Sequence, residues 1–175
     1  KAMPFTSGTS GGSDDSPPTP ADDITSEFYT WDSAIAAKKI TTSNITKVIP
    51  RRDWANSTTF DMYEDNISAS NTTTSGATNL FDSTFYFKTS DNRVYMVLDN
   101  NAGVAYSGAE PTSESTSSFV LGGYTLKYLY TISASQQATF TTTDFMPVST
   151  DSTISAAATD GAIESIIVTN TGSGL

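Results

Sequence analysis

The chain has neither cysteine nor histidine among its 175 residues. Without Cys there is no disulfide framework, no thiol nucleophile and no thiolate metal site. Without His, Ser-His-Asp and Cys-His catalysis and His-ligated zinc are excluded, leaving only carboxylate, Tyr or Lys chemistry. Positive charge is also scarce: nine Lys and Arg stand against 19 Asp and Glu, for a net charge of −10. Neutralising phosphates needs clustered cations, so nucleic acid is not an expected partner. The only basic doublets are Lys38-Lys39 and Arg51-Arg52. No run approaches the ~20 apolar residues of a membrane-spanning helix, and no membrane partner is expected. Lys1-Ala2-Met3-Pro4 has no signal-peptide apolar core and no initiating Met, from which a processed chain, a trimmed chain or a fragment is expected.

What the chain does have is Ser and Thr, about a third of all residues, with scattered aromatics. Hydrophobic residues make up 37% and charged residues 16%, a balance that suits β structure with long polar loops and a modest core. The expected fold is mainly β, a β-sandwich, possibly multilayered, with one or two short helices set in loops. Three regions are expected: an extended N-terminal arm at 1–23, a β-sandwich domain at 24–150, and the start of a C-terminal β region at 151–175.

Along the chain, Pro17-Pro18-Thr19-Pro20 stiffens the arm. Phe28, Trp31, Ala34, Ile35 and Lys38-Lys39 follow helical steps of three and four, predicting a helix over 24–39 that packs its stripe against a sheet, with Asp23 or Thr25 as cap. Residues 45–54 read as extended, with a short strand at 60–63. Residues 66–79 and 107–118 are polar loops. Two apolar runs around Ser90-Asp91-Asn92 predict a hairpin. Tyr124, Leu126, Tyr128 and Tyr130 alternate with Thr125, Lys127, Leu129 and Thr131 in the clearest strand. Ser133 and Gln136 have capping-box spacing, opening a helix to about Phe140. Ile154 and residues 163–169 suggest further strands, and Thr171 to Leu175 reads as a turn with the following strand cut off.

The candidate site is Pro50-Arg51-Arg52-Asp53-Trp54, which sets two arginines between a proline and an acid–tryptophan pair. In extended backbone Arg51 and Asp53 share one face, and Arg52 and Trp54 the other. This predicts an ion pair and a guanidinium–indole contact at a structural junction or partner interface. No cofactor, metal or small-molecule substrate is expected. Asp53, Asp61, Glu64 and Asp65 crowd one region and raise a carboxylate-hydrolase reading, which needs two acids about 5–9.5 Å apart in a cleft. Asp14-Asp15 and Asp22-Asp23 lack the EF-hand pattern. Asn44, Asn56, Asn66 and Asn71 stand in glycosylation-type triplets that a Ser/Thr/Asn-rich chain generates by chance. The aromatics and the acidity also suit a secreted or cell-surface carbohydrate-binding module, although core packing is the default for strand tyrosines.

Several runs occur in an order that resembles the baseplate wedge protein (gene product eight) of T4-type contractile-tailed phages. They are the Pro-rich lead before Asp22-Asp23, the Trp31 segment and Val48-Ile49-Pro50-Arg51-Arg52-Asp53-Trp54. Arg93-Val94-Tyr95-Met96-Val97-Leu98-Asp99-Asn100-Asn101 follows. Glu110-Pro111, the strand Gly123-Tyr124 through Ile132, and Asp144-Phe145-Met146-Pro147-Val148 complete the series. The resemblance spans roughly 17–150. The chain departs from the family at Gly122, where Asp is usual, at Leu126, where an aromatic is common, and in the region from Ile163 onward. The resemblance implies a non-enzymatic β-sandwich building block of the tail baseplate in the virion, assembled in the bacterial cytoplasm. Its implied partners are other wedge subunits and a second copy in a homodimer.

Overall fold

The structure, a computed structural model, describes residues 19, 22–32, 34, 36, 38–163 and 166. Most of the expected arm, 1–18, 20 and 21, lies outside the described residues. So do 164, 165 and 167–175 of the expected C-terminal β region. In chain order the elements are α1 (Ile24–Asp32), β1 (Val48–Pro50), β2 (Tyr86–Lys88), β3 (Arg93–Asp99), β4 (Phe119–Leu121), β5 (Tyr124–Thr131), α2 (Ala134–Phe140), β6 (Phe145–Pro147) and α3 (Ser152–Ala157). Short 3-10 turns at Thr42–Asn44 and Asn101–Gly103 complete the set. The fold is mainly β, with two antiparallel sheets, short helices between strands and long polar loops.

The chain divides into two compact units, one ending at Ile45 and the other starting at Thr46. The first carries α1, which is shorter than expected: it stops at Asp32, and Lys38, Lys39 and Ile40 are not helical. Thr, Phe, Tyr and Trp are mediocre helix formers, so the segment depends on burial for stability. That burial is missing. Ile24, Phe28 and Trp31 are 72%, 71% and 73% exposed, which corrects the expectation of a packed stripe.

The second unit is built on a four-stranded sheet in the order β2-β3-β5-β4, with a separate ribbon of β1 and β6. Both faces of the sheet are buried, and one residue arranges this. Val94 pairs with Tyr130 but its neighbour Tyr95 pairs with Tyr128, so Leu129 is an extra residue in β5. A bulge of this kind reverses side-chain parity along the strand. Tyr124, Leu126 and Tyr128 therefore join Phe87, Tyr95 and Val97 on one face, covered by Phe60, Tyr106, Trp54 and Ile154. Tyr130 and Ile132 turn to the other face, where they meet Tyr86, Val94 and Met146, with Ile49 of the ribbon against them. The alternation read from the sequence placed Tyr130 with Tyr128; the bulge separates them.

Local chemistry explains the other departures. The expected strand at 60–63 is irregular because its first two backbone donors go to side chains. Phe60 N–H donates to the Tyr124 hydroxyl (3.2 Å) and Asp61 N–H to the Thr84 hydroxyl (3.1 Å). Ile154, expected in a strand, lies in α3 instead, because the Asp151 carboxylate accepts from the N–H of Thr153 and Ile154 and caps a helix. Ile163 and Ile166 are exposed and in no strand; the rest of 163–169 lies outside the described residues. The hairpin around Ser90-Asp91-Asn92 forms as expected, and so does the Ser133–Gln136 capping box.

β4 and β5 are joined by Gly122-Gly123, both at positive φ (63° and 86°), as a two-residue hairpin turn requires. A Cβ on Gly122 would lie 2.5 Å from the Tyr106 ring, whereas one on Gly161, also at positive φ, would meet open space. Gly161→Ala thus reports backbone strain alone, while Gly122→Ala adds a clash with a buried ring. We expect Gly122→Ala to cost roughly 2 kcal/mol more than Gly161→Ala. Urea melts of the two variants check this, and equal midpoints would contradict it.

Candidate functional site

The Pro50–Trp54 segment carries the chain from the ribbon to the edge of the sheet. Arg51 N–H donates to Asp144 O (2.7 Å), and Arg52 O accepts from Lys88 N–H (2.7 Å). Trp54 N–H donates to Lys88 O (2.8 Å), and Asp53 and Lys88 form a parallel bridge. The Tyr86 hydroxyl, rising from β2, donates to Pro50 O (2.8 Å). Pro50 has no N–H, so it suits the end of an edge strand, where no ladder donor is needed.

The expected ion pair is present. Arg51 Nε donates to both Asp53 carboxylate oxygens (3.1 and 2.9 Å), and its Nη2 lies 2.7 Å from Oδ2. Arg51 Nη1 reaches on to Thr142 O in the ribbon connection (3.1 Å). The nearly buried Lys88 ammonium stands 3.4 Å from the same carboxylate. Burial pushes the Asp53 carboxyl upward, but the Arg51 hydrogen bond and the Lys88 and Arg51 charges outweigh it and hold it below its ordinary value.

The expected guanidinium–indole pair is replaced by two separate contacts. Arg52 lies over the Tyr86 ring, 5.7 Å from its centroid. It donates through Nη2 to Phe81 O and Asp82 O (3.0 and 2.9 Å). Trp54 packs edge-on against Tyr106, with centroids 5.8 Å apart. The parallel bridge to β2 brings Tyr86 within reach of Arg52, a neighbour that residue alternation within 48–54 does not reveal. The buried Arg52 Nε and Trp54 Nε1 have no acceptor among the described residues.

The acids divide by role. Asp61 is buried and accepts four hydrogen bonds: from Ser75 N–H (2.7 Å), the Ser75 hydroxyl (2.7 Å), the Ser83 hydroxyl (3.0 Å) and Thr84 N–H (2.8 Å). Burial raises its pKa, yet these donors lower it more, so the group stays ionised below its ordinary range. A carboxylate held this way pins the 66–79 loop to the start of β2 and is not free to act as a general base. Asp65 is exposed and Glu64 half-buried. Glu64 borders a depression of about 180 Å³ with Met62, Asn71, Thr72, Thr73 and Thr74, small for a ligand site. Among the described residues no three His, Cys, Asp or Glu side chains gather as a metal would need.

Further carboxylates tie down the 107–118 loop. Glu110 accepts from Ser90 N–H (2.6 Å) and the Ser90 hydroxyl (2.5 Å). Arg93 bridges Glu114 (2.7 Å) and Asp91 (2.8 Å), and Lys127 donates to Thr116 O (2.6 Å). Sequence reading missed these anchors and the role of Asp61. The available signal was an acid beside each Ser/Thr-rich loop, which reads equally well as a solvated charge.

The tyrosines of the sheet face inward. Tyr95, Tyr124, Tyr128 and Tyr130 are buried, so the strand surface that a sugar could have stacked on is core. Burial pushes the phenols of Tyr95 and Tyr130 well above their ordinary value.

The lowered carboxyls set a pH dependence. A carboxyl whose pKa is lower folded than unfolded contributes stability that is complete above its unfolded value, near 3.8 for Asp61. That contribution is lost as pH falls through the folded value. We expect Asp61→Asn to cost about 2 kcal/mol at pH 7, by exchanging an acceptor-only group for one that leaves buried donors unmatched. The cost should shrink in acid. Denaturant titrations at pH 7 and pH 3 check this, and a cost that does not change with pH would contradict it. In comparisons with family models, curated proteins and solved structures, nothing matches the chain.

Proposed function

We propose that this chain is a structural subunit of a contractile-tailed phage baseplate wedge, acting by shape and subunit packing without turnover. One observation carries the reading. Four of the runs that resemble the wedge family in order lie in the frame of the second unit: 48–54 includes β1 and its strap, 93–101 includes β3 and the Asn turn, 123–132 includes β5, and 144–148 includes β6. Two features of the surface support it. The polar loops at 66–79 and 107–118 are held by internal carboxylates, so they present ordered edges to a neighbour. Large apolar side chains such as Phe81 and Val120 remain exposed. Obligate interfaces of the size such an assembly needs run to about 2,000 Å² or more, which long fixed loops can supply.

On this reading the four-stranded sheet is a rigid spacer, the loops and the arm meet neighbouring wedge subunits, and a second copy is one of the candidate neighbours. The particle is the tail baseplate, built in the bacterial cytoplasm. The Pro50–Trp54 strap keeps ribbon and sheet in register and offers its exposed Asp53 edge to a neighbour. Co-expression with the other wedge subunits of its phage tests this. The wild-type chain is expected in a stable wedge, and Arg51→Ala/Arg52→Ala in a less stable protein that assembles poorly. A wild-type chain that stays free would overturn the reading. A double variant with unchanged melting and normal wedges would overturn the role of the strap.

A further inference from the structure

The described structure leaves one helix face uncovered, and its chemistry specifies a partner. Ile24, Phe28 and Trp31 recur at steps of four and three, so they form a single stripe on α1. All three are exposed over more than two-thirds of their surface. Large apolar residues exposed singly are ordinary, but three in register on one helix mark an interaction surface. A helix of nine residues is also marginal in water, so a covering surface would stabilise it.

Charge selects what covers it. At about 100° of turn per residue, Glu27 lies on one flank of the stripe and Asp32 on the other. Asp22 and Asp23 precede the helix, and residues 22–32 contain no Lys or Arg. We infer that α1 is a docking helix whose apolar stripe enters a hydrophobic groove rimmed by Lys and Arg on a different protein, the helix-in-groove mode of recognition.

A second copy of this chain is a poor occupant. It carries a net charge of −10 and nine basic residues. Five of those, Arg51, Arg52, Lys88, Arg93 and Lys127, already make contacts within the chain. An anionic lipid surface would repel the acidic flanks. The inference stands apart from the baseplate reading, since it concerns the groove and not the assembly that owns it.

The full chain carrying p-benzoylphenylalanine in place of Phe28 tests this by photo-crosslinking in its native assembly, with the exposed Ala157 position as control. The expected product is one different protein, joined through an apolar segment bordered by Lys or Arg. The identified protein, once purified, should bind the wild-type chain with Trp31 moving to an apolar environment. Phe28→Ala/Trp31→Ala should weaken binding by roughly thirty-fold or more, and Glu27→Lys/Asp32→Lys by several-fold, most strongly at low salt.

Cross-links to a second copy would overturn the inference, as would capture no stronger than at Ala157. So would binding indifferent to charge reversal, or a Trp31 shift on adding phosphatidylcholine vesicles. If the wild-type chain entered wedges while position 28 captured nothing, the docking helix would fall and the baseplate reading would stand. If position 28 captured a basic-grooved protein foreign to any baseplate, the reverse would hold.

Discussion

Five buried phenols, each donating to a backbone carbonyl, hold the second unit together. Tyr86 reaches Pro50 (2.8 Å) and Tyr130 reaches Pro147 (3.2 Å), fastening both strands of the ribbon to the sheet. Tyr95 reaches Ser113 (2.8 Å), Tyr106 reaches Ala109 (2.8 Å) and Tyr124 reaches Val104 (2.7 Å), fastening the loops over the opposite face. A chain so rich in Ser and Thr has few apolar residues with which to bury its loops. A tyrosine lets one side chain serve both needs, with its ring in the core and its hydroxyl on a backbone carbonyl.

Carboxylates finish what the phenols begin. Asp61 gathers donors from the 66–79 loop and the start of β2, while Glu110 and Glu114 close the 107–118 loop onto the β2–β3 hairpin. The arginine strap does the same between ribbon and sheet. Of the acids that invited a hydrolase reading, Asp61 orders a loop and Asp53 belongs to the strap. Arg51–Asp53 is half-exposed and contributes on the order of 1 kcal/mol or less by charge alone. The Arg51 side chain also donates to Thr142 O, which ties the strap to the ribbon connection.

The strands were legible because their signals are local. Period-two alternation marked β5, apolar runs on either side of turn residues marked the hairpin of β2 and β3, and Ser133 with Gln136 marked the start of α2. The features that escaped depend on distant neighbours. Leu129 becomes a bulge only through the register with β3, and nothing in the spacing of Tyr128 and Tyr130 announces that they part. Arg52 finds Tyr86 instead of Trp54 because β2 lies alongside, 34 residues later in the chain. β4, three residues long with Val120 exposed, carries too little pattern to be seen. Of the candidate site, the Arg51–Asp53 pair could be read from alternation; the Lys88 and Tyr86 contacts required the sheet.

Hydrogen exchange on Tyr→Phe variants tests the central claim, that phenol hydroxyls hold the loops to a rigid sheet. Tyr95→Phe should leave β3 and β5 protected while amides near Ser113 lose protection. Tyr124→Phe should act in the same way near Phe60 and Val104, with each change destabilising the fold by about 1 kcal/mol. Loops that exchange equally fast in the wild type and in both variants would contradict the account, as would protection lost uniformly across the sheet.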